Sequence, residues 1–335
     1  MSRAIFLLPA WSVFGRQGVS PELAKAFGRA DASVVGPSAS AGTPFDTPGD
    51  AQLQRHFIAT PARWAPAALT RQMDIGDAAG AAWLRADPAH VRPEMTGARL
   101  LGIGERLSLS QDDVDALLPA LKPVFGDSGF ALDAPTPTRW YLRLLREAKF
   151  PRFSAPDTAL GEDLFEHQPD GPEGRRWRAL LNDVQILLHN HPWNAQRAER
   201  GRVPINALWV WGGGVLPDRV VAQARQVYSD DDLLQALIQI AGGAAQPLPG
   251  DFSSASFSED DVALYDLRRV RDLAALQRDW LLPAVRALRA GALEAFVLDA
   301  ADGTRLQLAS GQRWRFWRGA WSIPAATRPQ GDDSR

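Results

Sequence analysis

Cysteine is absent from the 335 residues. That excludes a disulfide framework, a cysteine zinc ribbon and a thiolate nucleophile. Histidine is scarce, with five in all, none beyond His191 and no HExxH pair. No GxSxG nucleophile elbow and no Walker pattern occurs, so no serine has a motif-level claim to chemistry. No apolar run approaches the roughly 18 residues that span a bilayer. The net charge of -2 supplies no general basic field for nucleic acid. Neither a membrane nor a nucleic-acid partner is therefore expected. The N-terminal AIFLLPAWSVFG has the length of a secretory h-region. Pro9, the single preceding Arg3 and the lack of a small-residue cleavage site argue instead for a buried first strand and a cytoplasmic protein.

What is present is an ordinary globular composition, 45% hydrophobic and 23% charged, with twelve tryptophans. Length alone favours two domains. Strand-like runs recur at Ala4–Leu8, Ala81–Arg85, Arg99–Ile103, Trp140–Leu144, Ala207–Trp211, Val262–Tyr265 and Ala295–Leu298. Helical periodicity marks Ser110–Phe125, with SQDD as its N-terminal signal, and Pro172–Leu188. It also marks Asp272–Arg289, where Pro283 predicts a kink or interruption. This alternation predicts an α/β fold with a mostly parallel sheet. Residues 81–145 order as a small α+β module. The expected division is a discontinuous core of 1–75 and 190–323, an insert and linker at 76–189, and a disordered tail at 324–335. Pro- and Ser-rich stretches at 37–48 and 245–258 read as loops.

The most unusual stretch is LLHNHPWNAQRAERGRVPINALWVWGGG, 187–214. Pro192 disfavours helical geometry at His191, so a helix ends there. His189 and His191 lack the acidic partners of a metal site; they either order a loop or touch a ligand. Asn194 and Arg197 are one helical turn apart and share a face. With Asn206 they suit a phosphate or carboxylate, or a buried turn that needs many partners. The WGGG triplet follows a strand, where glycine permits close backbone approach, but it lacks dinucleotide-cradle spacing. Arg85, Asp87, His90 and Arg92 concentrate in WLRADPAHVRP. Arg139, Tyr141 and Arg143 alternate on one strand face. These arginines either hold an anion or form a solvated face paired with acids. The C-terminal RLQLASGQRWRFWRGAW reads as a β-hairpin, with Trp314, Trp317 and Trp321 packed on the outer face of the core.

The 187–214 stretch resembles a signature of archaeal-type cofactor-independent phosphoglycerate mutases and their bacterial relatives. The matching residues are His191-Pro192, Asn194, Arg197, Gly201, Pro204, Asn206, Trp209, Trp211, Gly212 and Gly214. AAWLRADPAHVRP, LSLSQDDVDALLPAL and SAPDTALGEDLFEHQPDGPEG resemble the start of the mutase insert, the segment after it and the linker back to the core. Residues 1–320 together resemble a shorter bacterial group of RpfE-like regulatory proteins. The resemblance implies an alkaline-phosphatase-like core with an inserted substrate domain, and a return to the core sheet at 187–214. It also implies two metal ions and a nucleophile, which the mutases place on that core. Here the first strand ends in Pro9-Ala10 where the mutases have Asp-Gly. The late strands keep Asp261, Asp266, Asp299 and Asp302 but none of the expected histidines.

The expectation is a catalytically degenerate mutase relative, with no catalytic residue, no metal and no cofactor, acting in regulation or by binding. Its ligand would be a small phosphorylated or carboxylated metabolite between insert and core, on Arg85, Arg92, Arg143, Asn194 and Arg197. His189, His191, Asn206, Gly212 and Gly214 would border it. Two alternatives stay open: an active metal-dependent phosphomutase or phosphatase, and a protein-interaction module. No protein partner can be read from the sequence.

Overall fold

A computed structural model describes residues 2–35, 48–62, 64–95, 97–254 and 262–324. Asp261, positions 37–47 of the expected 37–48 loop, 255–258 of the expected 245–258 loop and 325–335 of the expected 324–335 tail lie outside the described residues. In chain order the first elements are β1 (Arg3–Leu8), α1 (Pro21–Gly28), β2 (Asp31–Val34), α2 (Pro48–Gln54), β3 (Phe57–Thr60) and α3 (Pro66–Asp74). Next come β4 (Ala82–Glu94), β5 (Gly97–Ile103), α4 (Gln111–Asp127), β6 (Ala131–Asp133), β7 (Tyr141–Leu144), α5 (Pro156–Ala159), α6 (Gly171–His189) and α7 (Trp193–Glu199). The last are β8 (Ala207–Val215), β9 (Arg219–Ala222), β10 (Gln226–Tyr228), α8 (Asp232–Ile240), β11 (Ala244–Gln246), β12 (Val262–Asp266), α9 (Leu273–Leu276), α10 (Leu282–Ala290), β13 (Ala295–Ala300) and β14 (Thr304–Ala309).

The first compact unit comprises the described residues of Met1–Ala41, Pro48–Ile58 and Val221–Arg335. Its seven-stranded sheet has the order β11-β10-β12-β1-β13-β14-β2. The five strands from β11 to β13 are parallel, and β14 and β2 close one side antiparallel. β1 sits centrally and is buried from Ala4 to Leu8, the continuous apolar run expected of a strand covered on both faces. Its Phe6 ring meets Phe252, Tyr265, Trp280 and Phe296 at centroid distances of 5.5–6.3 Å. The 272–289 periodicity is one helical rod, interrupted by a π-turn at Gln277–Leu281. Pro283, which cannot donate an i→i−4 hydrogen bond, lies just after that turn.

The second unit comprises the described residues of Ala59–Val220. Its sheet is antiparallel: β4, thirteen residues long, pairs with β5, β7 and β8, and β6 pairs with β7. Helices α4 and α6 supply Val114, Leu117, Leu121, Phe125, Trp177, Leu180, Val184 and Leu188 to its core. The unit is larger than the insert expected at 76–189, because β8 pairs with β4 and not with the parallel sheet. The expected return of 187–214 to the core sheet is thereby corrected. So is the C-terminal hairpin. β14 lies between β13 and β2, so neither edge is free, and the chain turns into a 3-10 segment at Ser310–Trp314. Of the three C-terminal tryptophans only Trp321 packs inward, against Trp11 and Phe27; Trp314 and Trp317 are exposed.

Candidate functional site

In an open α/β sheet, ligands gather at the carboxyl ends of the strands. In the first unit those ends carry two aspartates at one level. Leu7 of β1 is in register with Asp266 on one side and Asp299 on the other. The two carboxylates therefore leave the same face, two strand spacings or roughly 10 Å apart. Both are buried.

Each aspartate is clamped by its own arginine. Arg55, just past α2, donates Nε to Oδ2 of Asp299 at 3.0 Å and Nη2 to Oδ1 at 2.5 Å. His56 Nε2 lies 2.7 Å from the same Oδ2. Arg268 donates Nε and Nη2 to the two oxygens of Asp266, both at 2.8 Å, and Ser229 Oγ donates to Oδ2 at 2.8 Å. Burial alone would raise the Asp299 carboxyl; His56 and Arg55 overcome that and hold it below the ordinary carboxylate range. Burial likewise opposes, and Arg268 with Ser229 outweighs it, at Asp266. Such two-pronged guanidinium pairs are the strongest charge-assisted hydrogen bonds a carboxylate makes. Gln52 ties the strand ends together by donating Nε2 to the carbonyls of Leu8 and Asp299. Its Oε1 is buried without a hydrogen-bond partner among the described residues.

The donor set does not fit a two-metal centre. Both oxygens of Asp266 and of Asp299 already accept from guanidinium groups. Asp302 accepts from the backbone N–H groups of Trp11 and Thr304. Among the described residues, no three His, Asp or Glu side chains converge as a metal site would require. Arg55 and His56 carried no motif. Two neighbouring basic side chains have no sequence signal that pairs them with a carboxylate 243 residues away.

In the second unit, the 187–214 stretch is a polar knot. α6 ends at His189, and Asn190 caps it through Ile186 O. Asn194 and Arg197 do share a face of α7, and that face is buried. Arg197 is fully buried and donates to Val203 O at 2.9 Å, Leu107 O at 2.8 Å and Asp113 Oδ1 at 2.7 Å. Trp193 Nε1 and Ser110 N also donate to Asp113. Burial would raise that carboxyl; Trp193, Arg197 and Ser110 together hold it below the usual range. Asn194 donates to Leu188 O and Ile205 O and accepts from Ile205 N. Asn206 accepts from Val91 N at 2.8 Å and donates to Val91 O at 2.7 Å. These side chains serve the buried turn rather than an anion.

The glycines serve packing too. A Cβ on Gly212, which sits at φ +67°, would lie 3.2–3.3 Å from Pro66 and Ala67, and one on Gly214 would lie 2.7 Å from Ala65. The close backbone approach there is to the start of α3, not to a ligand. Arg85 pairs with buried Asp87 at 2.8 Å and stacks on Tyr141 and Trp211. Burial, the largest influence, lifts the Asp87 carboxyl above its ordinary range. Arg71, which the sequence did not single out, pairs with Asp77 and Asp133 and lies over Trp83.

Arg92, Arg143 and His189 are exposed. Arg143 is opposite Trp83, nine positions along β4 from Arg92 and so roughly 30 Å away at 3.3 Å per residue. The five-residue anion pocket expected from sequence is therefore not assembled. β4 is long enough to carry its two arginine clusters apart, and its buried partners retain the rest. His191 is half-buried and accepts from Trp193 N through Nδ1.

No family model matches the chain. Stretches of it are similar to 2,3-bisphosphoglycerate-independent phosphoglycerate mutases. A probable one of Geobacter sulfurreducens is 40% identical over 62 residues, 18% of this chain and 16% of that protein. That of Methanosarcina mazei is 32% identical over 92 residues, 26% and 23% of the two chains. That of Methanosarcina barkeri is 29% identical over 125 residues, 35% and 31%. The matched stretches thus span less than a third of these relatives. Among solved structures, the cofactor-independent phosphoglycerate mutase from Thermoplasma acidophilum is 16% identical with a TM-score of 0.41, covering 93% of this chain and 90% of that one. A Pyrococcus horikoshii protein is 12% identical with a TM-score of 0.47, covering 95% and 90%. The relationship is phosphoglycerate-mutase-like at low identity. No helix among the described residues is long and apolar enough to cross a membrane.

Proposed function

We propose that the chain is a catalytically degenerate relative of the phosphoglycerate mutases, of the RpfE-like regulatory kind, which works by binding rather than by phosphoryl transfer. The observation that carries this reading is the pair of arginine clamps at the strand ends. Phosphoryl transfer of the mutase type uses metal ions to neutralise charge and activate a nucleophile. At Asp299 and Asp266 the neutralising cations are Arg55 and Arg268, which are part of the chain. A guanidinium cannot polarise a water or a serine oxygen into a nucleophile as a metal can, because it offers only N–H donors and no open coordination position.

The test is a mutase assay of the purified protein with manganese and either 2- or 3-phosphoglycerate, beside metal analysis of the same preparation. The expected result is no interconversion and less than one equivalent of tightly bound metal. Interconversion that Asp299→Ala abolishes, or two tightly held equivalents of zinc or manganese, would establish the active-enzyme alternative. The interaction-module alternative is favoured by one feature, the exposed Trp314, Phe316 and Trp317 at the C-terminal end of the first unit.

A further inference from the structure

The first unit holds a pocket of about 160 Å³ where the ends of α1 and α10 meet the end of β14. It lies away from the aspartates. Ala309 of its wall is opposite Ala295, the first residue of β13, whereas Asp299 stands near the other end of that strand. The floor is apolar, from Ala26, Val285, Leu288 and Leu308; the rim is cationic, from Arg29, Arg289 and Arg313.

The rim charges are unequally engaged. Arg289 donates to Glu22 at 2.6 Å. Among the described residues neither Arg29 nor Arg313 has a carboxylate partner, and Arg313 rests over the ring of Trp314 with its guanidinium carbon 5.0 Å from the centroid. Like charges gathered at one opening repel, and an anion relieves that repulsion. Helix ends account for part of the pattern, since Arg29 and Arg289 sit at the negative ends of α1 and α10. Arg313 closes only the five-residue 3-10 segment Ser310–Trp314, and the apolar floor has no helix-end role. An apolar cavity of roughly 150 Å³ accommodates one benzene ring, so the pocket as a whole has room for one ring or a short branched chain.

We propose that this pocket binds a small aromatic or branched aliphatic carboxylate, its hydrocarbon on Ala26, Val285, Leu288 and Leu308 and its carboxylate on Arg29 and Arg313. The site does not depend on the strand-end aspartates. Mutase activity in the assay above would leave it standing, and its absence would leave the degenerate-mutase reading standing.

Calorimetric titration of the full chain tests it, with benzoate as probe and with acetate, inorganic phosphate and benzamide as controls. Benzoate is expected to bind saturably. Acetate and phosphate lack the ring and benzamide lacks the charge, so each should bind at least roughly tenfold more weakly. Because the rim faces solvent, 0.5 M salt should weaken benzoate binding. The double variant Arg29→Gln/Arg313→Gln changes only side chains at the rim and should lose roughly tenfold in affinity. Leu288→Trp, which fills the floor, should abolish binding; if it does not fold, the arginine variant and the ligand series decide alone. Absence of saturable benzoate binding up to about 10 mM, equal binding of benzamide, or unchanged affinity in the double variant would overturn the proposal.

Discussion

Both units bury an aspartate against an arginine, and the two pairs are built for different ends. In the second unit, Asp113 and Arg197 join α4 to α7, and all three kinds of Arg197 nitrogen find acceptors inside the protein. In the first unit, Asp299 and Arg55 sit at the carboxyl edge of a parallel sheet, with a histidine on the oxygen that Arg55 Nε also reaches and a Gln52 Oε1 nearby that has no hydrogen-bond partner among the described residues. The first arrangement is saturated and holds a turn in place. The second occupies a position where α/β folds do chemistry, and its neutralising cation is supplied by the chain itself. The chemical pairing is the same; its place in the fold determines what it tells about function.

The largest effect should come from the saturated pair. Arg197→Ala leaves Asp113 buried and short of its cation, which costs about 3–5 kcal/mol; urea unfolding at pH 7 measures it. A loss below about 1 kcal/mol would mean that Asp113 reaches water and that the knot is not closed. Asp299→Asn comes next, at about 2–3 kcal/mol, since Arg55 and His56 lose a charged acceptor. Here the pH dependence sharpens the contrast. The folded carboxyl is held below its unfolded value near 4, so its contribution is complete above that value and is lost as pH falls through the lower folded one. The gap between wild type and Asp299→Asn should therefore close on acidification from pH 5 towards pH 2, and a gap that is constant with pH would contradict the ion pair. The smallest effect belongs to Trp317→Ser, within about 0.5 kcal/mol, because that ring is 70% exposed. A larger loss in thermal unfolding would show that the C-terminal aromatics pack on the unit after all.

Much of the fold was legible because periodicity reports burial. All seven strand-like runs coincide with strands, and the helices at 111–127 and 171–189 begin and end within a few residues of their signals. The SQDD signal is realised through Asp113, which accepts from Ser110 N. Pro283 gave the interruption of the 272–289 helix but not its form. The assignment of β8 failed because a strand shows which faces it buries, not which sheet it joins. The candidate site was the least legible part. Asn194, Arg197 and Asn206 stand out in the sequence of 187–214, but a polar residue that binds a ligand and one that satisfies a buried turn have the same donors. The pairing of Arg55 and His56 with Asp299 was invisible, since only the closed sheet brings those segments together.

Asn206 carries a consequence beyond its two hydrogen bonds. Just before β8, Ile205 stands across from Val91 by continuation of the β4–β8 register, but its N–H and C=O are already taken by the Asn194 side chain. The Asn206 side chain, with one C=O and one N–H₂, answers Val91 as a peptide group would. It acts as a prosthetic rung, extending the ladder beyond the last residue able to build it. It also plugs a stretch of β4 that would otherwise offer a bare edge to a neighbouring molecule. Aspartate, of the same shape but without the donor, would leave half of that rung missing.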